Sequence, residues 1–192
     1  MVTKDSNAFF PKFKIPRIFG NRLTRLLDDI EWVTNPCRIN YLAQEIVVLR
    51  DNLCERFTRN DISFLSKLTE KDLEEDKDEG DEMLEIDRLI KQTEKLSPDV
   101  KQSRKVVKSL LDQGNLSPFT LQSRPVYTNY AQSLSLVPLP TALILVDPSS
   151  PTFDLIYENC HVMNPGRFYR NGKISYLEYY PGTRTAKQKA LY

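Results

Sequence analysis

Apolar residues in the first half of the chain recur at helical spacing. Four of them stand at i, i+3, i+4 and i+7, on one stripe of a helix: Leu23, Leu26, Leu27 and Ile30. An Asn35-Pro36 pair follows, typical of a helix start because Asn caps well and Pro suits the first helical position. A longer stripe then runs through Ile39, Leu42, Ala43, Ile46, Leu49, Leu53 and Phe57. This pattern predicts a long amphipathic helix that needs a partner surface.

A further helix is predicted where Ser97-Pro98-Asp99 gives a strong start signal and Gly114 gives a stop. We therefore expect residues 21–114 to be helical, as four or five helices. The run at residues 70–82 interrupts this region, because it is almost wholly acidic and can bury little. We interpret it as a solvated connector.

After Gly114 the pattern changes to short strands. Residues 142–146 form an apolar run typical of a buried strand, and residues 153–157 alternate between apolar and polar. Asn171-Gly172 suits a two-residue hairpin turn, which would pair Arg170 with Lys173 and Tyr169 with Ile174. We expect residues 115–182 to form a small antiparallel β subdomain and residues 183–192 a loosely held basic tail.

The predicted fold class is therefore α+β. An N-terminal helical bundle, or helical hairpins, would precede a small antiparallel β-sheet with a C-terminal hairpin. With 192 residues, the chain has room for one ordinary domain or two small ones.

Charge is unevenly distributed, although the formal net charge is only +1. Residues 1–26 carry six bases and one acid, whereas residues 60–100 carry six bases and fourteen acids. Residues 101–192 are basic again, with eleven bases and five acids. The near-zero total therefore conceals a basic arm, an acidic middle and a basic tail.

Residues 1–20 form a basic, aromatic N-terminal arm punctuated by prolines. Its aromatic residues would be a liability in water, so the arm docks either on its own helices or in the groove of another protein. The candidate partner-binding residues are those of the arm and of the long helical stripe: Phe9, Phe10, Phe13, Ile46, Leu49 and Leu53.

Three cysteines, Cys37, Cys54 and Cys160, cannot all pair, and a reducing compartment is the simpler interpretation. The first twenty residues lack the apolar stretch of a secretory signal, and no apolar run approaches the roughly 20 residues of a membrane span. We expect an intracellular protein, in the cytoplasm or nucleus, with no membrane contact.

The sequence offers little for catalysis. His161 is the only histidine, and its neighbour Cys160 would point to the opposite face of a strand, so the two make a poor dyad. An enzymatic function would require one of them to lie in a pocket beside a carboxylate. Three Cys and one His, scattered along the chain, do not fit a structural zinc site, and the isolated glycines do not form a phosphate-binding loop. We therefore predict no catalytic residues, no metal, no cofactor and no small-molecule substrate.

Binding chemistry is better represented near the C-terminus, where cations alternate with aromatic rings. Such a combination can neutralise phosphates and stack on unpaired bases, although tyrosines in a small sheet also pack structurally. The candidate nucleic-acid-binding residues are Arg167, Phe168, Tyr169, Arg170, Lys173, Tyr176, Arg184, Lys187 and Lys189.

Two functional hypotheses follow. The first is a non-catalytic interaction protein, a subunit or adaptor of a larger intracellular assembly, with a protein partner or a second copy of itself. The alternative is an RNA- or DNA-binding protein that uses its basic, aromatic C-terminal hairpin.

Overall fold

The computed structural model describes residues 9–26, 30–60, 98–170 and 172–191. The acidic connector predicted at residues 70–82, and the helices predicted on either side of it between residues 61 and 97, lie outside the described residues. So does Asn171 of the hairpin.

A five-stranded mixed sheet, here called the large sheet, forms the centre of the molecule. Its strands are β1 (Cys37–Tyr41), β2 (Gln44–Arg50), β3 (Ala142–Val146), β4 (Phe153–Tyr157) and β5 (Cys160–Asn164). They lie in the order β1-β2-β3-β5-β4. β2, β3 and β5 run parallel to one another, and each edge strand is antiparallel to its neighbour.

A second, three-stranded antiparallel sheet, here called the small sheet, follows in the chain. It consists of β6 (Tyr169–Arg170), β7 (Lys173–Tyr180) and β8 (Thr185–Leu191), in that order. The hairpin register is the predicted one, with Tyr169 opposite Ile174 and Arg170 opposite Lys173. Residues 185–191, expected to be a loose tail, form a strand paired along β7.

The helices described are α1 (Asn21–Leu26), α2 (Leu53–Arg59) and α3 (Pro98–Asp112), with 3-10 helices at Arg17–Gly20 and Thr128–Leu134. The predicted helix start at Ser97-Pro98-Asp99 is confirmed by α3. None of these helices, in the ranges that the structure describes, has the length and apolar character needed to cross a membrane.

The predicted fold class was wrong. The chain is a mixed α/β structure built on the large sheet. Residues 37–50, predicted to belong to an N-terminal helical bundle, form β1 and β2 of that sheet. The predicted helical stripe from Ile39 to Phe57 divides into β1, β2 and α2. The error arose because Ile46 to Leu49 are apolar at every position, so their sequence shows no period of two. β2 lies between two neighbours with both faces covered, and such strands are continuously apolar.

Asn35, predicted to cap that helix, has another role. Its side-chain amide donates to the carbonyl of Arg50 at 2.7 Å, and its amide oxygen accepts from the N–H of Arg50 at 2.9 Å. The residue therefore closes the end of β2.

Side chains on the two faces of the large sheet enter two separate cores. On one face, Val47, Leu143 and Val162 pack against α3 through Val107 and Leu110. On the other face, a smaller cluster of Ile46, Ala142 and Met163 is covered by Leu177, Tyr179 and Ala186 of the small sheet. The small sheet is therefore fixed to the large one through one of its faces, and its other face points outward.

Candidate functional site

Most of the predicted nucleic-acid-binding residues lie on the small sheet. The register places Tyr176 opposite Lys189 and Glu178 opposite Lys187. Because side chains alternate along a strand, these residues share the face away from the large sheet. We call this the outer face; it comprises Tyr169, Ile174, Tyr176, Glu178, Tyr180, Lys187 and Lys189.

The charges on the outer face are arranged around Glu178. Its carboxylate accepts a hydrogen bond from the Tyr180 hydroxyl at 2.6 Å and lies 2.9 Å from Nζ of Lys189. Those two contacts lower the pKa of Glu178, and the contact with Glu178 raises the pKa of Lys189. Nζ of Lys187 lies 5.6 Å from the centre of the Tyr180 ring, within the range of a cation–π contact.

The other predicted cations lie elsewhere. Nε of Arg167 donates to the carbonyl of Pro148 at 2.9 Å, which turns this side chain toward the large sheet. Arg184 precedes β8 and lines a groove beside β4. Lys173 lies opposite Arg170 in the strand register and directly precedes Ile174. Because side chains alternate along a strand, Lys173 is on the face opposite to that of Ile174. Phe168, just before β6, is exposed. The structure thus brings Tyr169, Tyr176, Lys187 and Lys189 together and separates Arg167 and Arg184 from them.

The N-terminal arm docks on the chain through Phe10, which is completely buried. The N–H of Phe10 donates to the carbonyl of Pro125, and its carbonyl accepts from the N–H of Tyr127. The guanidinium of Arg124 lies 4.1 Å above the Phe10 ring, and its Nη1 lies 2.5 Å from Oδ2 of Asp51. This buried ion pair left no signal in the sequence, because its partners are far apart in the chain.

The other two partner-binding candidates of the arm, Phe9 and Phe13, remain on the surface. Phe9 stacks on Tyr127 with ring centres 4.8 Å apart, and Phe13 contacts Tyr127 and Tyr130 at 5.6 and 5.4 Å. All four rings are exposed by 40% or more. We call Phe9, Phe13, Tyr127 and Tyr130 the aromatic cluster. Neither tyrosine was singled out in the sequence, because only the docking of the arm brings them next to the phenylalanines.

Ile46, Leu49 and Leu53, predicted as partner-binding residues, are buried. Leu49 and Leu53 belong to the core beside α3, and Ile46 lies under the small sheet. Their contacts in this structure are with the chain itself.

A polar cluster lies at the carboxyl ends of the parallel strands, where open α/β sheets commonly bind ligands. Asp147 follows β3 and accepts hydrogen bonds from the N–H groups of Cys54 and Ser149 at 2.9 and 2.8 Å. Asn164 ends β5; its amide oxygen accepts from the N–H groups of Asp147 and Gly166, and its amide nitrogen donates to the carbonyls of Asp147 and Pro151. These buried groups hold the loops together. Polar residues directly after buried strands were the signal that sequence analysis did not use.

A cavity of about 460 Å³ lies beside this cluster. Its lining is mostly polar and includes Asp99, Ser149, Thr152, Arg167 and Gln188. Within the described ranges, no three His, Cys, Asp or Glu side chains come together as metal ligands would.

His161 and Cys160 point to opposite faces of β5, as predicted. Cys160 lies in the core beside α3, where burial raises the pKa of its thiol to about 11. His161 is covered by the small sheet; its Nε2 contacts Oδ1 of Asp154, and its ring lies edge-on to Tyr179 at 5.6 Å. Nδ1 of His161 and the hydroxyl of Tyr179 are buried without a hydrogen-bond partner among the described residues. His161 therefore lies beside a carboxylate at the edge of a groove, which is the arrangement that the enzymatic alternative required, whereas Cys160 lies on the other side of the sheet and cannot act with it.

Comparison with known proteins indicates the class of protein. The family model for the B subunits of DNA polymerases alpha and epsilon matches residues 3–155. The B subunit of DNA polymerase epsilon from Debaryomyces hansenii is 43% identical over 187 residues, covering 95% of this chain and 28% of that protein. The protein of the same name from Saccharomyces cerevisiae is 37% identical, covering all of this chain and 28% of its own length.

A mammalian relative also matches. The DNA polymerase epsilon subunit 2 of Bos taurus is 31% identical over 160 residues, covering 83% of this chain and 24% of that protein. The chain thus spans about a quarter of the length of these curated relatives. These relatives are all named as subunits of a DNA polymerase, which agrees with the prediction of a complex subunit.

Proposed function

Because the chain belongs to the family of DNA polymerase alpha and epsilon B subunits, we propose that it acts as a non-catalytic subunit of a DNA polymerase epsilon assembly in the nucleus. The observation that carries this proposal is the family match over residues 3–155, together with relatives whose names state that assembly. The hydrogen bonding of Asp147 and Asn164 supports it, since these polar groups serve to order the chain's own loops.

The aromatic cluster is the surface that we propose for protein contact. Exposed aromatic side chains are enriched at the centres of protein interfaces, where each buries a large area at a small cost in side-chain entropy. Here the backbone hydrogen bonds of Phe10 hold the arm in place, so the rings of Phe9 and Phe13 are positioned before a partner binds. Such preorganisation favours affinity.

Co-expression with the other polymerase epsilon subunits tests this function. We expect the chain to be retained in one complex through size-exclusion chromatography, and replacement of Phe13 and Tyr130 by Ala to weaken retention about tenfold or more. Leu121→Ala is the control, because Leu121 is an exposed apolar residue outside the aromatic cluster. Failure of the wild-type chain to join the complex would refute the function, and unchanged retention of the double variant would refute the surface.

The outer face favours a second function, contact with single-stranded nucleic acid. Tyr169 is 65% exposed, and Tyr176 and Tyr180 follow on the same face beside Lys187 and Lys189. Rings that stack on bases and cations that neutralise phosphates are the two requirements for such binding. A polymerase assembly works on DNA, so this face suits that setting.

A titration with a fluorescent single-stranded oligonucleotide, at about 50 and 200 mM salt, tests the second function. We expect affinity to fall with salt, and Lys187→Ala with Lys189→Ala to reduce the slope of log K against log salt by about 1.4. Arg104→Ala with Lys105→Ala is the matched control, since both residues are exposed on α3. Equal slopes for the two double variants would remove the outer face from consideration.

A further inference from the structure

The large sheet ends on β4, and the backbone of that strand is open on one side. The N–H of His161 donates to the carbonyl of Thr141 at 3.0 Å, so His161 directs its backbone groups toward β3. The hydrogen-bonding direction of the backbone alternates along a strand, so the N–H and C=O groups of Cys160 and Val162 are directed toward β4. There the two residues lie opposite Tyr157 and Leu155.

The remaining residues of β4, Asp154 and Ile156, therefore direct their N–H and C=O groups away from β5. No other strand among the described residues lies on that side of β4. The edge presents two donors and two acceptors at the spacing of a strand, a row that water solvates in the free chain and that another extended backbone can pair with.

The side chains at this edge also favour an added strand. Ile156 is 71% exposed, an apolar residue on an edge that contains neither proline nor lysine. The carboxylate of Asp154 is engaged by His161. Proteins usually blunt exposed edges with prolines and lysines, so an open edge bearing an isoleucine is a site for pairing with another chain.

A groove of about 460 Å³ runs beside the edge, between β4 and the start of β8. Ile156 and Ala186 line its apolar part, and Arg184 lines its polar part. The side chain of Arg184 is exposed and has no carboxylate partner among the residues described. Side chains of an added strand would alternate into this groove.

We propose that β4 accepts an extended segment of another protein as a sixth strand of the large sheet. The segment carries an apolar side chain that rests on Ile156 and Ala186, and a carboxylate two positions away that pairs with Arg184. This inference rests on the proposed function, since the segment is part of another protein of the polymerase assembly.

Hydrogen exchange measured by mass spectrometry on the free chain and on the co-expressed complex tests the pairing. We expect the amides of Asp154 and Ile156 to exchange rapidly in the free chain and at least tenfold more slowly in the complex. Slow exchange already in the free chain, or the same rate in both states, would overturn the proposal.

Variants test the same contact through affinity. Ile156→Pro removes one outward donor at a position where an edge strand tolerates proline, and we expect binding to the co-expressed subunits to weaken about tenfold. Ile156→Val, which keeps the donor and the apolar surface, should bind normally. Arg184→Glu should weaken binding about fivefold, whereas Arg104→Glu on α3 should not.

The outcomes separate this inference from the function on which it rests. If the wild-type chain does not join the assembly, both are refuted. If it joins while Ile156→Pro and Arg184→Glu bind as tightly as their controls, only the added strand is refuted.

Discussion

Arg124 and Asp51 show how single residues connect distant parts of the chain. Arg124 is 4% exposed and Asp51 is 9% exposed, and burial lowers the pKa of Arg124. The guanidinium is paired with the adjacent carboxylate, and its flat face covers Phe10 of the arm. This one side chain therefore links the arm to the end of β2.

Asp51→Asn should lower the free energy of unfolding by about 3 to 5 kcal/mol, because it leaves a buried cation without its partner. Urea denaturation measures the change. The control is Glu55→Gln, which breaks the exposed pair with Arg59 and should cost at most about 0.5 kcal/mol. Equal effects of the two variants would contradict a buried role for the Arg124 pair.

Cys160 makes stability depend on alkaline pH. Its thiol has a pKa of about 11 in the folded chain against an ordinary value of 9.0, because burial disfavours the thiolate. The folded state therefore keeps a proton that the unfolded state releases. Below pH 9 this group has no effect on the pH dependence of stability; from pH 9 to 11 the free energy of unfolding falls.

The measurement is the urea midpoint of the wild-type chain and of Cys160→Ala between pH 7.5 and 10.5. Other groups titrate in this range, so the comparison rests on the difference between the two chains. We expect the wild-type midpoint to fall more steeply with pH. Parallel curves would show that the thiol titrates alike in both states.

Among the elements, α3 shows how a sequence signal and its tertiary setting act together. The helix ends at Asp112, and Gly114 follows with φ of +58°. A Cβ at position 114 would lie 2.7 Å from Cγ2 of Val137, so both the backbone angle and the packing require glycine. The N–H of Leu136 also donates to the carbonyl of Gly114, which joins the helix end to the next segment.

Gly114→Ala should lower the free energy of unfolding by about 1 to 2 kcal/mol, from the strained φ and the contact with Val137. Gly182→Ala is the control, because a Cβ there meets nothing within 4 Å and the backbone is not left-handed. Thermal denaturation distinguishes the two. A control variant as unstable as Gly114→Ala would mean that the helix end is not the cause.

At the scale of the whole molecule, the junction between the two sheets decides how the surfaces are presented. Leu177, Tyr179 and Ala186 cover Ile46 and Met163, which turns the outer face toward solvent. The Tyr179 hydroxyl is buried there without a hydrogen-bond partner in the described part of the chain. Such a group opposes folding by its lost hydration.

Tyr179→Phe should therefore leave the free energy of unfolding unchanged or raise it by about 1 kcal/mol. The control, Tyr157→Phe, removes a hydroxyl that donates to Asp112 and accepts from Lys108, and should lower the free energy of unfolding. Chemical denaturation measures both. A loss in Tyr179→Phe as large as in Tyr157→Phe would reveal a hydrogen bond at the junction.

Local signals in the sequence determined several features. Pro98 and Gly114 bound α3, residues 142–146 and 153–157 are strands, and the register of the Asn171-Gly172 hairpin is the predicted one. These features depend on turn chemistry and on side-chain alternation within a few neighbouring residues. The lack of a catalytic constellation likewise led directly to the prediction of a subunit.

The tertiary structure decided the rest, because the remaining features depend on contacts between distant positions. β2 pairs with β1 beside it in the chain and with β3 from almost a hundred residues away, and its apolar run suits either a helix or a strand until those partners are present. Arg124, Tyr127 and the open side of β4 acquire their roles in the same way. The hydrophobic pattern of the sequence predicts which side chains are buried, whereas the pairing of strands determines which side chains are in contact.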